Sequence, residues 1–192
     1  MLLSAVAKYK LKIVQMDVKT AFLNGELEKP VYMEKPEGYE LMDEDCGDDE
    51  VLLLVKSLYG LKVSPKRWFV RFRNFMVSKG FYEYVFQPCI FSWRRKNNFV
   101  IIGLYVDDIL IIGNSKEKID SLKRELSEEF EMKDLGSPKQ FLGIDIEVKN
   151  FEISLSVKSS IEKMLKTFNM ENCKPKKTSG DTSSRKERER KR

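Results

Sequence analysis

The stretch FVIIGLYVDDILIIGN, Phe99–Asn114, decides the fold. Two apolar, β-branched runs flank a short polar break at Val106–Asp108, and each run is too short for a helix and too apolar for a loop. They predict a hairpin with strands over 99–105 and 109–112 and a tight turn that carries two adjacent acids. Downstream, Ser115 is a fitting N-cap, and Ile119, Leu122, Leu126 and Phe130 recur on one face of a helix over 116–130. Phe141–Val148 reads as a strand, Lys149–Asn150 as a turn, Phe151–Ser156 as a second strand, and a last helix is expected from about Ser160 to Met170.

Upstream, Lys12–Val18 (KIVQMDV) reads as a buried strand with Asp17 near its end. Asn24–Gly25 marks a turn, Val31–Met33 a short strand and Glu50–Lys56 another. Ser64–Gly80 has the punctuation of a helix, with Ser64 at the N-cap, Pro65 at the first helical position and Gly80 ending it left-handed. Trp68, Phe69, Phe72, Phe75 and Met76 recur at helical spacing and are expected in the core, whereas Lys66, Arg67, Arg71 and Arg73 lie elsewhere and are available to phosphates. Cys89–Arg94 reads as a strand leading into an RRKNN turn.

Without the auxiliary strands the order is strand 12–18, helix 65–79, strands 99–105 and 109–112, helix 116–130, strand 141–148. That is β-α-β-β-α-β, an α+β, ferredoxin-like arrangement with both helices on one face of an antiparallel sheet. Many unrelated functions share it, so it names none.

Composition narrows the chemistry. The 192 residues contain no histidine, which excludes His-based acid–base catalysis, Ser/His and Cys/His pairs, and imidazole-ligated zinc. Cys46, Cys89 and Cys173 are far apart and odd in number, as in a reduced intracellular protein without a disulfide framework. No apolar run is long enough to span a bilayer, and no signal peptide is evident at the N-terminus. The net charge of +5 is concentrated at one end. Nine of the 35 Lys/Arg and three of the 30 Asp/Glu fall in Lys174–Arg192, leaving 26 basic and 27 acidic residues in the first 173. This tail is expected to be disordered, either as a solvated terminus or as a nucleic-acid-binding arm or import signal. The acidic run Asp43–Glu50 matches no liganding register and reads as a solvated loop.

Catalysis is left to carboxylates, lysines and metal ions. Asp107 and Asp108 sit at the tip of an apolar hairpin, and the β-α-β-β order brings the end of strand 12–18, with Asp17, beside them. Such a cluster repels itself unless a cation is present. Mg²⁺ takes hard oxygen ligands, and two such ions activate an attacking hydroxyl and stabilise a leaving pyrophosphate without histidine or cysteine. The plainer reading is that Asp107–Asp108 simply makes a polar turn.

Five blocks carry a family resemblance: QMDVKTAFLNGELEKPVYMEKPEGY (15–39), SLYGLKVSPKRW (57–68), LYVDDILIIG (104–113), FLGIDI (141–146) and NMENCKP (169–175). In order and spacing they resemble the reverse transcriptase of copia-type LTR retrotransposon Pol polyproteins. The resemblance implies an RNA-directed DNA polymerase palm over 1–148, a primer-grip return strand and the start of a helical thumb over 149–175, and the basic tail over 176–192. It implies two Mg²⁺ ions, with Mn²⁺ an alternative. Asp17 and Asp107 would be the main ligands and Asp108 a supporting carboxylate. Phe22 matches the aromatic position that excludes a ribose 2′-hydroxyl, with core packing as the alternative. Tyr59, Gly60 and Lys62 match the block that contacts template and incoming nucleotide, FLGIDI the primer grip, and Lys133 or Lys139 the lysine that protonates the leaving pyrophosphate.

The implied partners are an RNA or DNA template with primer, deoxynucleoside triphosphates, and other parts of a Pol polyprotein. The implied location is cytoplasmic particles or the nucleus, not a membrane. The sequence departs from the family in three places. Met1 falls just before the first catalytic strand, so an upstream fingers segment is expected to be absent. Val63 stands where the family has Gln, and Lys66-Arg67 where it has Arg-Ala. After Pro175 the basic tail replaces the usual continuation towards RNase H. The competing expectation is therefore an inactive retrotransposon relic that binds nucleic acid through its tail.

Overall fold

The computed structural model describes residues 2–39 and 51–174. The acidic run Asp43–Glu50 and the tail from 175 onward, both assigned above, lie outside them.

The expected hairpin is present as β6 (Asn98–Tyr105) and β7 (Asp108–Gly113), numbered in chain order after α1 (Leu2–Tyr9), β1 (Lys12–Val18), β2 (Tyr32–Met33), β3 (Leu52–Leu53), α2 (Ser64–Ser78), β4 (Tyr82–Tyr84) and β5 (Gln87–Arg95). The chain continues through α3 (Lys116–Glu129), β8 (Met132–Gly136), β9 (Gln140–Phe141), β10 (Ile144–Lys149), β11 (Glu152–Ser156) and α4 (Lys158–Thr167). The result is a mixed helix and antiparallel-sheet protein, the class expected. Its main sheet has six strands in the order β4-β5-β6-β7-β1-β8, all neighbours antiparallel.

β7 explains why its sequence is apolar at every position. Ile109 and Ile111 enter one core, and Leu110 and Ile112 enter another on the opposite face. On the first face, Met16 and Val18 of β1 and Val100, Ile102 and Leu104 of β6 meet α2 through Trp68, Phe72, Phe75 and Met76, and α3 through Ile119, Leu122 and Leu126. Phe130 closes this layer edge-on to Trp68 and Phe75, at centroid distances of 5.2 and 5.3 Å. Each such buried side chain contributes about 1.5–3 kcal/mol. On the second face, Val6 of α1 and the partly buried Phe141, Val148 and Ile153 pack on Ile13, Leu110 and Ile112.

Four local expectations are corrected. The strand beside β1 is β8, not 141–148, which instead divides at a turn between β9 and β10 in a separate three-stranded sheet ordered β11-β10-β9. The expected strand Glu50–Lys56 is represented, among its described residues from 51 on, by the two-residue β3 paired with β2. Ser64 does not cap α2: the cap position is Val63, and Ser64 is buried with its hydroxyl donating to the Leu58 carbonyl. The guanidinium groups of α2 are engaged by acids rather than left for phosphates, as Arg67–Glu28, Arg71–Glu129 and Arg73–Glu83.

Two other readings hold. Ser115 Oγ accepts from Lys118 N at the start of α3, and Gly80 is left-handed (φ 79°) after α2. Gly25 serves a different purpose. Its backbone is extended, and a Cβ there would lie 2.7 Å from Ser57 Oγ and 2.8 Å from Arg67 Cβ, so glycine is what lets the turn approach α2.

Candidate active site

β1 and β7 run side by side in a register that sets Asp17 directly opposite Asp108. Asp107 joins them through the backbone, its carbonyl accepting from Val18 N at 2.9 Å. Alternation along both strands puts Asp17, Asp108 and Gln15 on the same side of the sheet as Ile13, Leu110 and Ile112. The three acids are half-buried.

The turn that presents them is held from the other layer. Trp68, 1% exposed, donates its indole N–H to the Val106 carbonyl at 2.6 Å. Val106 has φ 55°, a left-handed conformation unusual for a β-branched residue, and Thr20, three residues after Asp17, has φ 50°. Strained backbone therefore flanks the acids on both segments.

Burial raises the pKa of Asp17, and the charges of Asp107 and then Asp108 raise it further. Lys133, its register partner on β8, acts in the opposite direction. A carboxylate raised by like charges is a place where a cation relieves repulsion, and three carboxylates supply hard oxygen donors suited to Mg²⁺ or Mn²⁺. Among the described residues no group of three His, Cys, Asp or Glu side chains is gathered closely enough to hold a metal ion without rearrangement. The donor set and its charge are of the chemistry that suits a divalent cation.

Gln15 is 5% exposed and donates its amide to Asp108 Oδ1 at 3.0 Å. Both line a cleft of ≈ 560 Å³ together with Leu135, Ser137, Lys139 and Leu142. Sequence reasoning missed Gln15, and its signal was available: a polar residue inside an apolar strand, two positions from an acid on the same face. A larger cleft of ≈ 670 Å³ beneath α3, lined by Glu117, Asp120, Lys123 and Arg124 among others, holds none of the expected residues.

The remaining expected residues form a second group. Phe22 lies in a 3-10 turn (Ala21–Asn24), partly buried against the main core, with its ring centroid 4.5 Å from that of Tyr59. Its carbonyl accepts from the buried Ser57 hydroxyl. Tyr59 and Lys62 are exposed, and Gly60 has φ 99°. Of the two candidate lysines, Lys133 faces Asp17 across β1/β8 and Lys139 borders the cleft with Asp108.

The reverse transcriptase (RNA-dependent DNA polymerase) family model matches residues 1–180. The chain belongs to that family. It is 45% identical over 177 residues to the Retrovirus-related Pol polyprotein from transposon TNT 1-94 of Nicotiana tabacum, covering 91% of this chain and 13% of the relative. It is 37% identical over 163 residues to that from transposon RE1 of Arabidopsis thaliana, covering 85% and 11%. With the putative transposon Ty5-1 protein YCL074W of Saccharomyces cerevisiae the figures are 34% over 149 residues, 77% and 47%. The reverse transcriptase chain thus spans only a small part of the polyproteins it matches, and these bear out the copia-type resemblance. Apo telomerase from Candida Tropicalis, truncated from its C-terminal domain, aligns over 79% of this chain and 37% of that one at 12% identity and a TM-score of 0.42, a likeness too loose to carry an argument. Among the described residues no helix is long and apolar enough to cross a membrane.

Proposed function

We propose that this chain is the palm of an RNA-directed DNA polymerase that extends a primer on an RNA or DNA template from deoxynucleoside triphosphates, within a larger Pol polyprotein. One observation carries the reading: in a chain of this family, β1/β7 register sets Asp17 opposite Asp108, next to Asp107, at the end of two central strands of the sheet. The strand order β8-β1-β7-β6, with α2 and α3 on one face, supports a ferredoxin-like β-α-β-β-α-β palm in which β8 is the fourth strand. On this reading β9 to β11 are the primer-grip region and α4 begins a thumb.

Asp17 and Asp107 would hold divalent cations, Mg²⁺ or Mn²⁺, with Asp108 in support. When bound, the cations supply activation of the primer hydroxyl and charge neutralisation at the leaving pyrophosphate. The chain's own residues do the rest. Trp68 fixes the turn that aims the acids, and the Phe22–Tyr59 pair borders the approach to the nucleotide sugar. Lys133 or Lys139 would give a proton to the leaving pyrophosphate. Tyr59, Gly60 and Lys62 contact template and nucleotide.

The test is primer extension on an RNA template with Mg²⁺, wild type beside Asp107→Asn. Extension by wild type alone, with the variant still folded by circular dichroism, is expected; extension that survives the substitution overturns the reading. The concentration of basic charge in Lys174–Arg192 favours a second reading, a non-polymerising nucleic-acid binder. That reading requires binding that disappears on deleting 176–192 and is indifferent to Asp107→Asn.

A further inference from the structure

The one buried amide among the described residues' buried polar side chains is spent on a carboxylate of the candidate site. Gln15 and Asp108 belong to adjacent antiparallel strands and point to the same face, two register positions apart, with Gln15 opposite Leu110 and Asp108 opposite Asp17. Only the NH₂ end of an amide can face a carboxylate oxygen, so the contact to Asp108 Oδ1 fixes the orientation of Gln15 as well. At 5% exposure Gln15 has little room to swing away. Asp107 lacks this restraint: its backbone is tied to Val18, and among the two hairpin acids it exerts the greater repulsion on Asp17.

We propose that Gln15 is a positioning residue of the carboxylate site. It anchors Asp108 against the sheet, which leaves Asp17 and Asp107 as the mutually facing pair and makes Asp108 a supporting charge. The proposal rests on the cation-binding reading given above and deepens it by naming the group that makes the three acids unequal. Without the amide, Asp108 rotates freely, competes with Asp107 for the space beside Asp17, and adds repulsion that the empty site must overcome. The device works through geometry and applies before any substrate is present.

The test uses the whole 192-residue chain with Mn²⁺ as probe, counted by the electron paramagnetic resonance of the free ion. Gln15→Met keeps the length and removes the donor. It is expected to weaken Mn²⁺ binding by about tenfold, the scale of one lost hydrogen bond to a charged group. In an Asp108→Ala background the same substitution is expected to add less than about twofold, because its partner is already gone. A residue that merely filled space would cost the same in both backgrounds. Should Gln15→Met fail to fold by circular dichroism, Gln15→Asn keeps the polarity, falls one methylene short, and is expected to give the same pattern. No loss on substituting Gln15, or a loss that persists undiminished beside Asp108→Ala, overturns the proposal. Absent Mn²⁺ binding in wild type, or binding indifferent to Asp17→Asn, overturns the cation reading itself and this inference with it.

Discussion

Replacing Trp68 by phenylalanine separates the support of the acidic turn from the packing of the core. The indole N–H is what reaches across from α2 to the Val106 carbonyl, while the ring packs on Phe72 and Phe130 at centroid distances of 5.5 and 5.2 Å. A phenyl ring keeps most of the packing and loses the donor. The stranded carbonyl costs about 1–3 kcal/mol. The missing part of the bicycle leaves a small void in a site 1% exposed and adds on the order of 1 kcal/mol. A total of roughly 2–4 kcal/mol is a large share of the ~5–15 kcal/mol typical of a domain, and at about 2–4 °C per kcal/mol it lowers Tm by roughly 4–16 °C. Val106 is already held at φ 55°, so the released turn relaxes, and cation binding by the acids is expected to weaken along with stability. Urea unfolding followed by tryptophan fluorescence reads the first effect; Trp93 supplies the remaining signal. A midpoint within about 0.5 kcal/mol of wild type, the scatter of ordinary surface substitutions, would refute the reasoning.

Four further outcomes are expected. Asp17→Asn stabilises the metal-free protein at neutral pH: burial and the two hairpin acids raise the Asp17 pKa, so its contribution is fully present below the unfolded value and is lost as pH rises through the folded one. Urea midpoints of wild type and variant should therefore converge in mild acid, and a gap that widens there contradicts the assignment. Mg²⁺ at about ten times its Kd should stabilise wild type by ~1.4 kcal/mol and leave Asp17→Asn unmoved, read as the shift in Tm. Gly113→Ala places a methyl 2.5 Å from the Phe99 carbonyl oxygen, so the hairpin must open and stability should fall by about 1–3 kcal/mol in urea titration. Phe130→Ala empties the point where Trp68, Phe72 and Phe75 meet and should cost about 3–5 kcal/mol by the same measurement.

The parts of this fold that sequence reveals are those where one physical demand dominates. The run Ile109–Ile112 is apolar at each position because β7 is buried on both faces, so no other environment suits it. The helices α2 and α3 were legible because their apolar stripes meet one layer of the sheet. β8 had no such signature. It is an edge strand whose residues are mostly exposed, with only Met132 packed against the main core, and its polarity reads as a loop. The alternation Ile144, Ile146, Val148 correctly announced a strand. Alternation, though, says that one face is covered and not by which layer, so it does not tell which sheet the strand joins.

The same distinction separates the acids from the residues that position them. Asp107 and Asp108 stand out because adjacent charges at an apolar tip are costly without a purpose, and Asp17 follows once the strand order is known. Gln15 carries only a faint signal, a polar residue in an apolar strand, and Trp68 and Ser57 carry none; distances show that the first holds Asp108, the second holds the turn at Val106, and the third holds the Phe22 carbonyl. All three link segments that are 93, 38 and 35 residues apart in the chain, beyond the reach of local pattern. A charge cluster is a property of composition and strand order, whereas its rigidity depends on long-range hydrogen bonds that only the folded chain displays. A substitution at Gln15 or Trp68 can therefore disable the site while every acid the sequence advertises remains in place.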